Sequence, residues 1–404
     1  MPSSFTKYSN DSIWSIDSDA PDLSHAVEYL NNPDNFRSFS SGLTDLICQY
    51  GYDGDPRDAE AKTCFLLARL ASIEVSVTKA TLSSWFTDKR RPALAANSRT
   101  LLFQICFALS ATLHDITWFF SHVYFDRVLN CHTIPEAVYY YCFSRKLSYR
   151  HALDLISRIE AMPTPGDPGN AIVFTRDIID QLNLCTTDEE LLGFFRNHKH
   201  YFSQWNRTAM KYIEFYVSSI RGKESDRDVI RASKAGRRFP PDEIRQCGLV
   251  TQEYLLSASE GRFGYISGKS INSIDFMLEQ MITIHSGLPK QTQIPAIVRQ
   301  NFPSKKTFSD ILNKSELSTS YDSIRKCLIL LKFYHFWVTL LLNPDPSVDA
   351  PFDVYRDETN AILTECGYDE LFAGNPYDWL FLWASTSEKP LDTLRMAIGS
   401  MEEI

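Results

Sequence analysis

Apolar residues in the first third of the chain recur at three- and four-residue intervals, the pattern of helices that bury one face. Asn35 to Tyr50 aligns Phe36, Phe39, Leu43, Leu46 and Ile47, and Arg57 to Ala71 aligns Phe65, Leu66, Leu67 and Leu70. Leu82, Trp85 and Phe86 mark a shorter third helix, and Ser98 to Leu109 and Leu113 to Tyr124 read as a fourth and fifth. Gly51, Gly54 with Pro56, Pro92 and Pro135 punctuate them. Pro135 to Ala161 reads as one helical hairpin that faintly resembles a tetratricopeptide unit, with Ala137, Tyr141, Tyr149, Ala152, Leu155 and Ile156 apolar. The run from Pro163 to Gly169 holds three prolines and two glycines and cannot continue a helix. Helical spacing resumes beyond it, and Asn343-Pro344-Asp345-Pro346 breaks the chain once more.

Strand-like alternation is scarce, so the expected fold is all-α, an N-terminal five-helix domain followed by a larger multi-helical region. The pattern divides the chain into a loosely ordered segment at 1–25, the five-helix unit at 26–132 and the hairpin at 133–162. A linker at 163–170, a helical middle region at 171–342 and an acidic helical region at 343–404 complete it.

The third helix carries the most informative local chemistry. Thr78 is placed to cap it, Leu82, Trp85 and Phe86 share one face, and Lys79, Ser83 and other short polar residues occupy the opposite one. Lys89-Arg90-Arg91 follow, then Pro92. A small helix with a polar outer face fits a DNA major groove, and cations at its end reach phosphates. From Val77 to Pro92 the spacing resembles the third helix of Cro/CI-type helix-turn-helix domains, and the resemblance extends over about residues 34–125. It implies a fold of five helices that binds double-stranded DNA. Thr78, Lys79, Ala80, Ser83 and Ser84 would face bases, and Lys89, Arg90, Arg91 and Arg99 would face phosphates. Two residues depart from the family pattern: Phe86 replaces the usual Glu, and Asp88 the usual Gly, although Asp tolerates left-handed backbone. The link from Ser72 to Ser76 is also longer than the family's tight turn. The whole chain resembles an uncharacterised family of similar length from Gram-positive gut bacteria. The segments SSWFTDKRRP, FALS, EAVYYYC, IRKCLILLKFY and NPYDWLFLWAS carry that likeness, which implies architecture and no activity.

Charge sharpens this picture. The chain carries a net charge of −9, unfavourable for DNA if spread evenly. It is uneven: Ser76 to Thr100 holds five basic residues against one acid, whereas Thr339 onward holds three against thirteen. Nine cysteines without a CxxC pair point to a reducing, cytoplasmic setting and away from structural zinc. No signal peptide is apparent, and the 15 apolar residues from Leu328 to Leu342, interrupted by Lys332 and His335, are too short for a membrane span.

The remaining motifs are weaker. Gly264 to Ser270 is one residue short of a phosphate loop, with no strand before it. Arg221 to Arg245 contains eight basic residues offset by five acids; it reads as a solvated stretch in which Lys234 to Arg238 offers phosphate contacts. His198 and His200 point apart on a helix, so no metal pair is expected. Asn375 to Trp383 reads as aromatic core or, alternatively, a docking groove. No catalytic motif or cofactor site emerges, and the expectation is a non-enzymatic, transcriptional-regulator-like DNA-binding protein, dimeric if its operator is two-fold. The alternatives are a helical peptide- or protein-binding module, and a defence or mobile-element protein with an unrecognised enzymatic site.

Overall fold

The computed structural model describes residues 26 to 398 except 27, 31, 33–34, 93–95, 127, 130, 132, 165–174, 203–205, 223–224, 260–309, 312–320 and 345–349. The fold is all-α, and the described residues contain no strand. The expected segment 1–25 and the phosphate-loop-like stretch at Gly264 lie outside the described residues.

Polar caps start the first helices. Ser38 caps α1 (Phe39–Gln49), Asp58 caps α2 (Ala59–Ala71) and Thr78 caps α3 (Lys79–Phe86), each side chain accepting a backbone N–H that the helix leaves unpaired. α4 (Ala96–Leu109) follows, then α5 (Leu113–Phe119), capped by Thr112 and prolonged by one π-helical turn, Phe120–Tyr124. α2 packs on α3 and α4, and α1 on α3 and α5.

Next come α6 (Ile134–Arg145) and α7 (Tyr149–Glu160), the expected hairpin. α8 (Thr175–Leu184) packs on α6, and α9 (Asp188–His198) on α7, so these two helices extend the first hairpin. Residues on both sides of 163–170 share one core, which runs from Phe39 to Phe202.

A second core belongs to the rest of the chain. Its helices are α10 (Arg207–Arg221), α13 (Leu249–Ser259), α14 (Tyr321–Leu342), α15 (Pro351–Glu365), α16 (Pro376–Ser385) and α17 (Pro390–Ile398), while α11 (Asp226–Lys234) and α12 (Pro241–Arg245) pack on α13 outside it. α14 is its axis, touching α10, α13, α15, α16 and α17. The apolar stretch read as a core helix is the second half of α14, and Lys332 there reaches Glu358 at 2.6 Å. No described helix is long and apolar enough to cross a membrane. Asn375 caps α16, whose ten residues are all buried, which places the aromatic NPYDWLFLW run in the core.

Phe36 departs from its expected place. The Ser38 cap starts α1 after it, and Phe36 joins Ala26 and Leu30 in the second core, where Tyr29 stacks on Trp379 at 4.8 Å. The residues just before α1 therefore pin the first unit to the second.

Two features set the energetics of the second core. Arg325 and Asp378 form a two-pronged pair at 2.8 and 2.7 Å with both side chains buried. Asp378 also accepts the backbone N–H of Phe372 at 3.0 Å. Removing one partner of such a pair strands a buried charge. We expect Asp378→Ala to lose about 3–5 kcal/mol in denaturant unfolding, and Arg325→Met with Asp378→Leu to lose much less. Separately, Gly222 has φ +68°, and a Cβ there would stand 2.4 Å from the backbone nitrogen of Gly248. Gly222→Ala is therefore expected to cost about 2 kcal/mol or more, read as a lower urea midpoint at unchanged slope.

Candidate nucleic-acid interface

α3 is seated by its apolar face. Leu82, Trp85 and Phe86 are buried, and Trp85 meets Phe39 of α1 edge-on at 5.6 Å between ring centroids. The opposite face is open: Thr78, Lys79 and Ala80 are exposed, and Ser83 and Ser84 are half-buried. Local bonds order this face. The Thr78 and Thr81 hydroxyls are 2.7 Å apart, and Ser84 donates to the Thr81 carbonyl at 2.7 Å. Thr87, one turn beyond Ser83, is also exposed, and its hydroxyl donates to the Ser83 carbonyl at 2.8 Å. It extends the polar face by a residue that the family pattern did not single out.

The connection before α3 covers residues 72–78, longer than a tight turn as the sequence implied. Glu74 takes the left-handed conformation at φ +61°, and Val75 N–H returns to the Leu70 carbonyl at 3.0 Å, closing α2. Asp88, standing where the family has glycine, is left-handed at φ +51°. Its carboxylate also accepts from Ser38 Oγ and Ser40 N, each at 3.2 Å, while Ser40 Oγ donates to the Phe86 carbonyl at 2.8 Å. The end of α3 is thereby tied to the start of α1.

The four cations assigned to phosphates separate into two pairs. Lys89 and Arg90 are exposed at the end of α3, where their charge is available. Arg91 and Arg99 turn inward, which corrects their assignment. Arg91 Nη2 donates to the Val123 carbonyl at 2.9 Å and to that of Tyr124, and its guanidinium lies 4.9 Å from the Phe125 ring centroid. Burial pushes its pKa down to about 10. Arg99 is only 9% exposed. It grips Glu136 at 2.5 and 2.9 Å, Asp126 at 3.0 Å and the Val128 carbonyl at 2.7 Å. Burial opposes its charge, but Glu136 and Asp126 more than offset this and hold its pKa above the usual arginine value. Neither guanidinium can reach a phosphate without dismantling its pocket.

Lys79 is exposed and paired with Glu60 at the start of α2. Asp53, Asp55, Asp58 and Glu60 are all exposed there, so the positive potential concentrates at the other end of α3, on Lys89 and Arg90. Lys62 is a cation that sequence reasoning missed. It lies buried beneath α3, donating to Thr44 Oγ1 at 2.9 Å with its ammonium 4.9 Å from the Phe86 ring centroid, and burial lowers its pKa. Its spacing with Leu66 and Leu70 already put it on the apolar face.

Other candidate chemistry is limited. Among the described residues no group of three or more His, Cys, Asp or Glu side chains is placed to hold a metal ion. His198 and His200 lie near Tyr201, with ring centroids 5.1 and 4.2 Å from it. A cleft of about 50 Å³ between the two cores includes Asp126, Asp322 and Asp378 in its lining. These carboxylates are already ion-paired with Arg99, Lys326 and Arg325 respectively. All nine cysteines are free thiols.

Compared with protein-family profiles, curated proteins and solved structures, the chain matches none of them.

The two arginine roles are separable by mutation. Arg91→Ala should lower stability by about 1–3 kcal/mol by leaving buried carbonyls unpaired, whereas Arg90→Ala should leave the unfolding midpoint within about 0.5 kcal/mol of the parent. Equal effects of the two in denaturant melts would contradict this assignment.

Proposed function

We propose that this chain is a double-stranded-DNA-binding protein of regulator type, with α2 and α3 acting as a helix-turn-helix and α3 as the recognition helix. The observation that carries this reading is the uncovered polar face of α3, with Thr78, Lys79 and Ala80 exposed beside the exposed Lys89 and Arg90. A helix held from behind by Leu82, Trp85 and Phe86 presents that face as a rigid unit, which is what groove insertion requires. Thr78, Lys79, Ala80, Ser83 and Ser84, extended by Thr87, are the base-facing set, and Lys89 and Arg90 the phosphate contacts. The free thiols suit a reducing compartment such as the cytoplasm. A two-fold operator would be met by two copies of the chain.

A second reading has its own support. α8 and α9 pack in order on α6 and α7, as successive units of a solenoid do, and Leu153 and Leu184 are left 46% and 71% exposed. In this reading the stacked body holds a peptide or protein partner, either alone or as the sensing part of the regulator.

A gel-shift titration against duplex DNA at several salt concentrations tests the first reading. Lys89→Ala with Arg90→Ala is expected to weaken binding to every sequence and to reduce the salt slope by about 2. Glu60→Gln, which releases Lys79, is expected to strengthen binding. A parent protein that fails to retain any duplex at low salt removes the DNA reading and leaves the stacked body as the functional surface.

A further inference from the structure

A second group of exposed cations among the described residues lies in the second unit. α11 packs on α13 with Ile230 buried, and the buried carboxylate of Asp226 accepts the backbone N–H of Gly248, just before α13, at 2.6 Å. The inward acid of α11 is thus consumed in fixing the helix. Outward stand Arg227 and Arg231, four residues apart and hence on one side. Arg237, Arg238 and Arg245 follow on the loop and on α12, and all five arginines are exposed. Gly236 makes the turn at φ +83°, with open space where a Cβ would stand.

The acids nearby do not neutralise this surface firmly. Arg231–Asp228, Arg237–Glu243 and Arg245–Asp242 are separated by 3.5, 3.9 and 3.7 Å, and each side chain is at least half exposed. Pairs of that kind contribute little and exchange readily for another anion. Arg227 and Arg238 make no ion pair among the described residues. The described cations here are all arginines, whose planar fork matches a phosphate with two parallel bonds. The nearby aromatic, Phe239, is half-buried with the Arg237 guanidinium 4.8 Å from its centroid, and no large apolar side chain projects from the patch. An anionic bilayer attracts such cations too, but is held firmly only where an apolar side chain inserts beside them, whereas a soluble polyanion is held by the cations alone.

We propose that the arginine face of α11, its following loop and α12 is a sequence-independent contact for the phosphodiester backbone of nucleic acid, distinct from α3. It does not depend on α3 reading bases. In a chain of net charge −9 such binding would be local to this face.

The test uses the full chain and fluorescence anisotropy with labelled random-sequence duplex, single-stranded DNA of equal length, and vesicles containing phosphatidylserine. Arg227→Gln, Arg231→Gln and Arg238→Gln combined should reduce the salt slope on duplex by about 2–3, in the parent and in the Lys89→Ala, Arg90→Ala background alike. Circular dichroism and the unfolding midpoint should not change, because all three side chains are exposed. The corresponding triple Arg→Lys variant should keep the slope and bind more weakly, which identifies charge and fork geometry separately. The single strand should show the same loss with a smaller slope per contact. A parental slope in the triple Gln variant overturns this inference and leaves the α3 reading standing. Loss in that variant, with the α3 double variant unaffected, overturns the α3 reading instead. Binding to the vesicles but to neither nucleic acid overturns the assignment of partner.

Discussion

Three consecutive backbone carbonyls, those of Val123, Tyr124 and Phe125, leave the end of the π-helical turn inside the protein. A buried carbonyl without a donor costs on the order of 1–3 kcal/mol, so their partners are structural necessities. Arg91, arriving from the tail of α3, supplies the first two, and Asn375, the cap of α16, supplies the third at 3.2 Å. Phe125 itself is left-handed at φ +54° and sends its ring into the second core, against Phe36 at 5.9 Å. One short stretch of backbone therefore fixes the tail of α3, closes α5 and joins the two cores. Lys89 and Arg90 face water on a chain anchored one residue later.

Buried charge explains much of the difference between the basic character of residues 76–100 and the smaller basic surface that the fold exposes. Arg99 is enclosed by Glu136 and Asp126, Arg91 lies among carbonyls and rings, and Lys62 is held by a hydroxyl beneath α3. The two acids neutralise Arg99, and Arg91 and Lys62 are spent on interior acceptors rather than offered to a ligand at the surface. What remains at α3 is Lys79, Lys89 and Arg90, with Glu60 against Lys79. A second, separate concentration of cations lies on α11 and α12, whose acids sit at longer range. Positive potential is thus divided between the two units rather than gathered at α3.

Much of this architecture was readable from the residues. The spacing of Leu82, Trp85 and Phe86, the Thr78 cap, the hairpin around Lys146 to Ser148 and the burial of the NPYDWLFLW run all follow from local rules, because helix faces and caps are set within a few residues. Asp88 was legible as a residue able to end a helix, although its bonds to Ser38 and Ser40 were not. Arg99 was misread despite a usable clue. It precedes Leu102, Phe103 and Cys106 by three, four and seven positions, which puts it on the inner face of α4. Arg91 offered no such clue, lying in an irregular stretch whose acceptors are 32 and 33 residues away.

The linear order of residues was sufficient to specify an all-α fold, the Thr78 cap of α3 and which side of α3 is greasy, since each depends on neighbours within two turns. Assembly settled other matters: that Phe36 and Phe125 serve the second core, that α8 and α9 continue the first, and which cations remain in solvent. Those outcomes depend on where distant carboxylates, carbonyls and rings meet. A basic residue next to others in the sequence is indifferent to its fate until a buried acceptor, brought from another helix, offers it a better site than water.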